Sequence, residues 1–169
     1  MESEQPVSAP LPARSAEVAR ALAAAGIPGQ VRQLAQSART AAEAAAALGC
    51  DVGAIANSLV FISGDQPVLV LTSGRHKVDT AGLAARWGRP ELRRATPEQV
   101  RVATGQAIGG VAPVGHPMQL PTVVDEALTS HRRVWAAAGT PHTVFPTTAD
   151  ELLRLTGGRL LPVGPPTDQ

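Results

Sequence analysis

The hydrophobic positions of the chain follow helical spacing in some segments and form short β-branched runs in others. Five helical segments begin at a residue that can cap a helix and end just before a glycine. These segments predict helices over residues 15–25, 40–48, 79–87, 96–104 and 148–156. Ser15 and Asp79 are expected to act as single caps, whereas Thr40 and Thr148 each precede a glutamate by three residues and predict capping boxes.

Eight short runs rich in valine, leucine and threonine predict strands. They cover residues 31–35, 59–63, 68–72, 91–95, 122–126, 133–137, 143–146 and 160–163. The second and third runs flank residues 64–67 (GDQP), whose glycine and proline predict a hairpin turn. Helices interleaved with hairpin-spaced strands indicate an α+β domain built around a mixed sheet or a barrel.

The composition predicts a single domain between two tails. Residues 1–13 are rich in serine, proline and glutamate and predict a flexible N-terminal tail, and residues 165–169 predict a flexible C-terminal tail. Residues 14–164 then form one domain that is long enough to bury a hydrophobic core. Because the N-terminus lacks the apolar segment of a signal peptide and no apolar run is long enough to span a membrane, we expect a soluble cytoplasmic protein.

The charge balance argues against tight, general binding to nucleic acid. The chain has 15 basic and 14 acidic residues and a net charge of +1, so any contact with RNA is expected to be local. His131, Arg132 and Arg133 are interpreted as a solvated charged cluster. Cys50 is the only cysteine and the four histidines lack the spacing of metal ligands, so we expect no disulfide, metal or other cofactor.

The segment over residues 104–117 (TGQAIGGVAPVGHP) has the least ordinary composition in the chain. It contains four glycines and two prolines and, apart from His116, no side chain that can carry a charge. Two interpretations are open for it. Glycines allow backbone N–H groups to approach a ligand and to donate to a carbonyl oxygen or a developing oxyanion. Alternatively, the segment is a tight buried turn between a helix and a strand.

Several segments together resemble the YbaK/ProX/EbsC family, which is related to the editing domain of prolyl-tRNA synthetase. The matching segments keep the family's order and cover about residues 15–163. They are residues 39–45 (RTAAEAA), 48–49 (LG), 55–61 (IANSLVF), 104–116 (TGQAIGGVAPVGH), 125–128 (DEAL), 139–143 (GTPHT) and 152–158. The resemblance implies a mixed, partly barrel-like β-sheet surrounded by helices, and an enzyme that hydrolyses mischarged aminoacyl-tRNA.

The resemblance also implies a pocket in which the glycine-rich segment faces the strand before Phe61, around the aminoacyl end of tRNA. Backbone N–H groups of the glycine-rich segment would hold the ester carbonyl oxygen, and a small apolar space near Val111, Ala112 and Val114 would take the amino acid side chain. The catalytic residues implied in this way are Asn57, Gly109, Gly110 and Val111. The implied substrate-binding residues are Ser58, Pro113, Asp125, Gly139, Thr140 and His142.

The sequence departs from the family at one important position. Many members have a lysine where this chain has Asn57, and the only lysine here is Lys77. Asparagine keeps hydrogen-bonding capacity but lacks the positive charge. Two hypotheses therefore stand: a trans-acting aminoacyl-tRNA deacylase, and a catalytically weak or inactive module that binds tRNA or an amino-acid-like ligand. The implied partners are the aminoacyl-tRNA 3′ end and an aminoacyl-tRNA synthetase, with neither DNA nor a membrane.

Overall fold

Residues 10–164 of the chain, described by a computed structural model, contain a single mixed sheet flanked by α-helices. The strands are β1 (Arg32–Gln33), β2 (Ile55–Ser63), β3 (Gln66–Ser73), β4 (Leu92–Arg94), β5 (Thr122–Asp125), β6 (Val134–Ala137), β7 (Thr143–Thr147) and β8 (Arg159–Leu161). The helices are α1 (Ala13–Ala24), α2 (Ala41–Leu48), α3 (Thr80–Trp87), α4 (Pro97–Thr104) and α5 (Ala149–Thr156). Among these described helices, none has the length and apolar character needed to cross a membrane.

The sheet combines parallel and antiparallel neighbours. Its strand order is β1-β7-β6-β2-β3-β5-β8, and β4 pairs with β2 outside this path. β2 runs parallel to β6, and β5 runs parallel to both β3 and β8, while the β1–β7, β6–β7, β2–β3 and β2–β4 pairs are antiparallel. This arrangement confirms the predicted α+β class with a mixed sheet surrounded by helices.

The core lies on both faces of the sheet because side chains alternate along each strand. On β3, Leu69 and Leu71 pack into the largest cluster, which also receives apolar residues of α1, α4 and α5. Val68 and Val70 point to the opposite face, where they pack against Phe61 and residues of α3. A third cluster lies under α2 and joins Ala44, Ala45, Ile55, Trp135 and Val144.

The helix caps are largely as predicted, with corrections at three places. Thr40, Asp79, Thr96 and Thr148 each cap a helix through their side chains. The expected capping boxes at Thr40 and Thr148 are incomplete, since Glu43 accepts from the Arg39 N–H and Glu151 from the Thr147 hydroxyl. The reciprocal box forms instead between Thr96 and Gln99.

The predicted cap at Ser15 is wrong. α1 begins at Ala13 after Pro12, and Ser15 is buried inside the helix. Its hydroxyl lies 2.8 Å from the Thr143 hydroxyl of β7, so it ties α1 to the sheet. The predicted N-terminal tail covers residues 1–13, of which residues 1–9 lie outside the described residues and Ala13 already belongs to α1. The predicted C-terminal tail, residues 165–169, also lies outside the described residues.

The strand predictions differ most at β2, which starts at Ile55 rather than at residue 59. The Ala-Asn-Ser run at residues 56–58 has low intrinsic β preference, and the sequence alone therefore gave no strand there. Pairing with β3 overrides this preference, since Ala56 lies opposite Ser73 and Asn57 opposite Thr72. The additional residues at the start of β2, residues 55–58, bring Asn57 and Ser58 into the sheet.

Asp125 at the end of β5 joins several elements from a fully buried position. Its Oδ2 accepts from the Ser73 N–H and the His76 Nδ1–H, both at 2.9 Å, and from the Thr72 hydroxyl at 3.4 Å. Its Oδ1 accepts from the Ala127 N–H at 2.9 Å and starts the following 3-10 turn. Asp125 therefore fixes the ends of β3 and β5 relative to one another.

We predict that Asp125→Ala lowers the free energy of unfolding by about 3 kcal/mol, because the buried donors lose a charged acceptor. Urea denaturation monitored by tryptophan fluorescence measures this loss. The control is Asp65→Ala at the exposed hairpin turn, which should change stability by less than about 0.5 kcal/mol. A loss below about 1 kcal/mol for Asp125→Ala would contradict the structural role.

Candidate functional site

The sheet opens along one edge of β2. On that edge β6 pairs only with Ile55 and Ala56, and β4 pairs only with the stretch from Phe61 to Ser63. The Ala95 N–H extends the second contact by donating to the Val60 carbonyl oxygen at 3.2 Å. Within the described chain, residues 57–59 therefore have no strand partner on this edge, although β3 covers the other edge throughout.

A cavity of about 420 Å³ fills this opening, and we call it the central cleft. Its volume lies within the range common for small-molecule sites. The glycine-rich segment closes one side and α2 with its preceding loop closes another. The wall comprises residues 38–41, 44, 55–60, 94, 95, 100, 108–111, 135–137 and 144.

Asn57 and Ser58 enter the central cleft from opposite faces of β2, as successive residues of a strand must. The Asn57 side chain is half-buried and makes no hydrogen bond to a described residue, so its amide is available to a ligand. The Ser58 hydroxyl is buried and also has no hydrogen-bond partner within residues 10–164. The two predicted site residues thus present unused polar groups beside the opening in the sheet.

The glycine-rich segment is held from within by Gln106, a fully buried residue that the sequence analysis did not single out. The Gln106 Nε2 donates to the Val114 carbonyl oxygen at 3.1 Å, and the Ala112 N–H donates to Oε1 at 2.7 Å. The Thr104 hydroxyl bonds the Gln106 carbonyl oxygen at 3.0 Å. One amide side chain therefore fixes the loop. The available sequence signal was the presence of a glutamine within the glycine-rich segment.

The backbone donors of this loop are unequal. The Gly110 N–H donates to the Ala107 carbonyl oxygen at 3.2 Å, so it is already occupied. For the N–H groups of Gly109 and Val111, both in the cleft wall, no acceptor occurs among the described residues. Gly109 has a φ of +96°, a conformation that favours glycine. The arrangement can offer two N–H groups to a carbonyl oxygen.

Gly110 is required by protein packing rather than by ligand approach. A Cβ built there would lie 2.7 Å from the Pro141 nitrogen and closer still to the Thr140 carbonyl carbon. The Gly110 carbonyl oxygen also accepts from the Gly139 N–H at 2.9 Å. The space beside Gly110 is filled by the backbone behind the loop, so at this residue the structure favours the tight buried turn of the two interpretations.

Five predicted substrate-binding or pocket residues lie outside the wall of the central cleft. Gly139 and Thr140 form the layer behind Gly110. Pro113 lines a smaller cavity of about 240 Å³, and Asp125 serves the ends of β3 and β5 as described above. His142 is exposed, and its ring has no hydrogen bond to a described residue.

The apolar part of the cleft also differs from expectation. Val111 lines it, whereas Ala112 is buried in the core and Val114 lines the smaller cavity. The observed apolar wall comes from Ile55, Val60 and other small or branched residues, together with the Trp135 ring. The wall combines residues of β2 with residues of helices, loops and other strands that are distant in the sequence, so no local sequence pattern could have grouped them.

Two arginines that sequence reasoning missed stand in the wall. Arg39 lies on the α2 side, where its stem would contact a Cβ at Gly109 at 3.2 Å. Arg94 is the last residue of β4 and also lines the cleft, and its guanidinium carbon lies 5.9 Å from the centre of the Phe61 ring. The wall contains no acidic side chain. The central cleft is therefore positively charged although the whole chain is nearly neutral.

The groups with shifted pKa values lie elsewhere in the described chain. Burial lowers the pKa of His116, against the opposing effect of its hydrogen bond to the Ala112 carbonyl oxygen. Burial also raises the pKa of the Cys50 thiol, and the Gly53 N–H lowers the pKa of Asp51. None of these lines the cleft, and residues 10–164 hold no cluster of metal-ligating side chains. The cleft wall offers hydrogen bonds and positive charge, and it contains no side chain that could act as a general base.

Comparison with known proteins gives a consistent picture. A family model described as an aminoacyl-tRNA editing domain matches residues 35–155. "Uncharacterized protein YwhH" of Bacillus subtilis (strain 168) is 31% identical over 123 residues, which cover 72% of this chain and 78% of that protein. "Putative Cys-tRNA(Pro)/Cys-tRNA(Cys) deacylase EbsC" of Enterococcus faecalis (strain ATCC 700802 / V583) is 26% identical over 121 residues, covering 71% and 74% respectively.

A solved structure shows the same architecture along the whole described domain. It is named "Crystal structure of a putative trans-editing enzyme for prolyl tRNA synthetase" and is 44% identical to this chain. The TM-score is 0.86, with 93% of this chain and 100% of that one covered. Sequence and structure comparisons thus agree on one family.

We predict that Gly110→Ala lowers the free energy of unfolding by about 1–3 kcal/mol, because the added methyl group overlaps the backbone behind the loop. Thermal or urea denaturation measures the effect. Gly164→Ala is the control, since a Cβ there would make ordinary contacts with His76 at 3.4 Å or more. Equal stability of both variants would show that the loop can shift to admit a side chain.

We predict that Ser58→Ala leaves the free energy of unfolding unchanged or raises it by up to about 1 kcal/mol, because it removes a buried hydroxyl without a partner. The control on the same strand is Ser63→Ala, whose hydroxyl donates to the Pro90 carbonyl oxygen at 2.7 Å and whose loss should cost about 1 kcal/mol. A larger cost for Ser58→Ala than for Ser63→Ala would contradict this assignment.

Proposed function

The chain belongs to the aminoacyl-tRNA editing domain family, and from that membership we propose that it is a trans-acting deacylase that hydrolyses the ester of mischarged tRNA. The observation that carries the proposal is the central cleft, whose wall includes Asn57, with an unpaired amide, and Gly109 and Val111, whose N–H groups have no acceptor among the described residues. These groups match the polar needs of an ester that must be held and polarised. The names of the EbsC relative and of the matching solved structure point in the same direction.

The reaction needs little from the protein beyond positioning and charge stabilisation. Water attacks the ester carbonyl carbon, negative charge develops on the carbonyl oxygen, and the bond to the ribose oxygen then breaks. That ribose oxygen takes up a proton as the free amino acid and the tRNA separate. Hydrogen-bond donors placed around the developing oxyanion lower the barrier to the first step. In this proposal the N–H groups of Gly109 and Val111 act as those donors.

The proton transfers are assigned to the substrate rather than to a side chain. The cleft wall contains no histidine, carboxylate, lysine or cysteine that could serve as a general base. The neighbouring hydroxyl of the terminal ribose lies beside the ester in any aminoacyl-tRNA. This hydroxyl can orient the attacking water and pass a proton to the leaving oxygen, so the substrate itself takes part in catalysis.

The wall also supports a preference for small amino acids. Val60, Val111 and Trp135 line an apolar space within a cavity of about 420 Å³ that must also take part of the terminal ribose. A synthetase distinguishes side chains that differ by one methylene by only about 1–3 kcal/mol, so errors with small residues need a second, editing site. We therefore assign alanine-, serine- and threonine-sized side chains to this space.

Asn57 is assigned a direct contact with the substrate. Its amide can donate to the ester or ribose and accept from the amino group, but it supplies no charge. Arg39 and Arg94 provide positive charge in the same wall, and in this proposal they take the place of the lysine that the family resemblance implies at position 57. In this proposal Asn57 supplies neutral hydrogen bonds to the ester, and the two arginines supply the positive charge.

A second candidate function follows from the same residue. If catalysis in this fold requires the charge of a lysine, Asn57 leaves a module that binds tRNA or an amino-acid-like ligand without hydrolysing it. This function uses the same cleft and the same arginines. Fold alone does not decide between the two, since related domains often differ in activity.

We predict that the wild-type protein hydrolyses Ala-, Ser- or Thr-charged tRNA in single turnover and that Asn57→Ala slows this step about tenfold or more, equivalent to about 1.4 kcal/mol. Asn57→Lys should speed it, because an ammonium beside the ester oxygen adds charge where it develops. Gln66→Ala, which removes an exposed amide at the hairpin, is the control and should match wild type.

The assay uses radiolabelled charged tRNA and separates free amino acid from ester over time, with melting curves for each variant. Hydrolysis in wild type that is unchanged by Asn57→Ala would remove Asn57 from the mechanism. No hydrolysis of any charged tRNA by any of the variants would reject the deacylase and leave the binding module.

A further inference from the structure

A second basic surface lies beside the central cleft and has no part in the reaction described above. Arg32, Arg132 and Arg133 line an open cavity of about 490 Å³, which we call the basic cleft. Its floor is formed by residues 28–31 and 146–148. The sequence suggested only a solvated cluster around Arg132 and Arg133, but β1 brings Arg32 to the same place from a distant part of the chain.

The charge of the basic cleft is uncompensated. All three arginines are exposed, and within residues 10–164 none of their guanidinium groups lies within 4.0 Å of a carboxylate. Glu151 is the acid in the lining, and it accepts from the Thr147 hydroxyl at 2.9 Å. Three positive charges against one engaged carboxylate form an anion-binding surface on a chain whose net charge is only +1.

The basic cleft and the central cleft meet at one side chain. The Trp135 ring lines the central cleft, and it also carries Arg32 and Arg133, whose guanidinium carbons lie 4.9 Å and 5.9 Å from the ring centre. Ile55 lies opposite Trp135 in β2, so Asn57 is on the same face of the sheet two residues further along. The two clefts are therefore neighbouring parts of one surface.

We propose that the basic cleft binds phosphates of the tRNA acceptor stem while the aminoacylated 3′ end occupies the central cleft. The inference rests on the proposed function for its choice of RNA as the polyanion. Arginine suits this role because the edge of its planar guanidinium can donate two hydrogen bonds to one phosphate while a face of the same group stacks on an indole. Stacking on Trp135 holds Arg32 and Arg133 in place before RNA arrives, which reduces the ordering cost of binding.

Phosphate contact predicts a specific salt dependence. Each arginine that neutralises one phosphate releases counterions, so its removal should lower the slope of log affinity against log salt concentration by about 1. Arg32→Gln and Arg133→Gln remove the charge but keep a long polar side chain. Arg159→Gln is the matched control, because Arg159 is exposed on β8 at the opposite edge of the sheet.

The probe is an uncharged, fluorescently labelled RNA hairpin that reproduces an acceptor stem with its single-stranded 3′ end. Its affinity for the full chain is measured by fluorescence polarisation between about 50 and 200 mM salt. We expect the slope to fall by about 1 in each single variant and by about 2 in the double variant. Arg159→Gln should leave it unchanged, and Arg32→Lys with Arg133→Lys should retain it because the charge remains.

A purely structural role for the arginines makes the opposite prediction. If they only shield Trp135, the glutamine variants should lower the melting temperature and leave the RNA slope at its wild-type value. That result would overturn the proposal, as would lysine variants that lose as much of the slope as the glutamine variants. Failure of the wild-type chain to bind the hairpin at about 50 mM salt would also overturn it. Melting curves and tryptophan fluorescence establish that each variant is folded. If the double variant does not fold, the slopes of the two single variants are sufficient for the test.

The binding measurement is independent of catalysis because the probe carries no ester. Loss of RNA affinity in the glutamine variants, in a chain that hydrolyses no charged tRNA, would uphold the basic cleft and reject the deacylase. Hydrolysis with unchanged RNA affinity in these variants would uphold the deacylase, reject the basic cleft as an RNA site and leave an acidic protein surface as its occupant.

Discussion

The site depends on how β2 shares one of its edges. β6 bonds to the beginning of this edge and β4 to its end, and the three residues between them face an opening rather than a strand. A continuous partner here would fill the space with backbone and leave no cavity. The rest of the site is arranged around this gap: the glycine-rich loop faces it, α2 covers one side, and Arg39 and Arg94 enter from the flanking segments.

The rigidity of the opening comes from contacts that lie outside it. The Gln106 side chain forms hydrogen bonds with the backbone of Ala112 and Val114 in the glycine-rich loop. Gly110 packs against the backbone at Thr140. Asp125 fixes the ends of β3 and β5 on the other side of β2. Asp125 and Thr140, for which the family resemblance implied substrate contact, therefore lie outside the cleft wall and support its shape from behind.

Local rules predicted the elements well and the site only in part. Four helix caps were predictable because a cap involves residues three positions apart, and Asn57, Ser58 and the loop over residues 109–111, which the family motifs group as a site, line one cleft. Asp125 lies outside the cleft wall, and its partners come from β3 and the turn after it, a long-range pairing that no spacing reveals. Arg39, Arg94 and Arg32 were missed for the same reason, since isolated arginines acquire meaning only when strands from distant segments bring them together.

The distribution of charge bears on why an asparagine can stand at position 57. In a cleft whose wall has no carboxylate, two arginines already lower the cost of placing negative charge there. In the proposed reaction, backbone N–H groups stabilise the oxyanion, and these groups do not depend on the side chain at position 57. In the same proposal, the role left to Asn57 is to orient an uncharged ester and ribose, for which a neutral amide with both donor and acceptor atoms is chemically sufficient. A lysine at this position would add charge to a surface that already carries it, so its absence changes how strongly the cleft attracts anions more than whether the ester can be positioned.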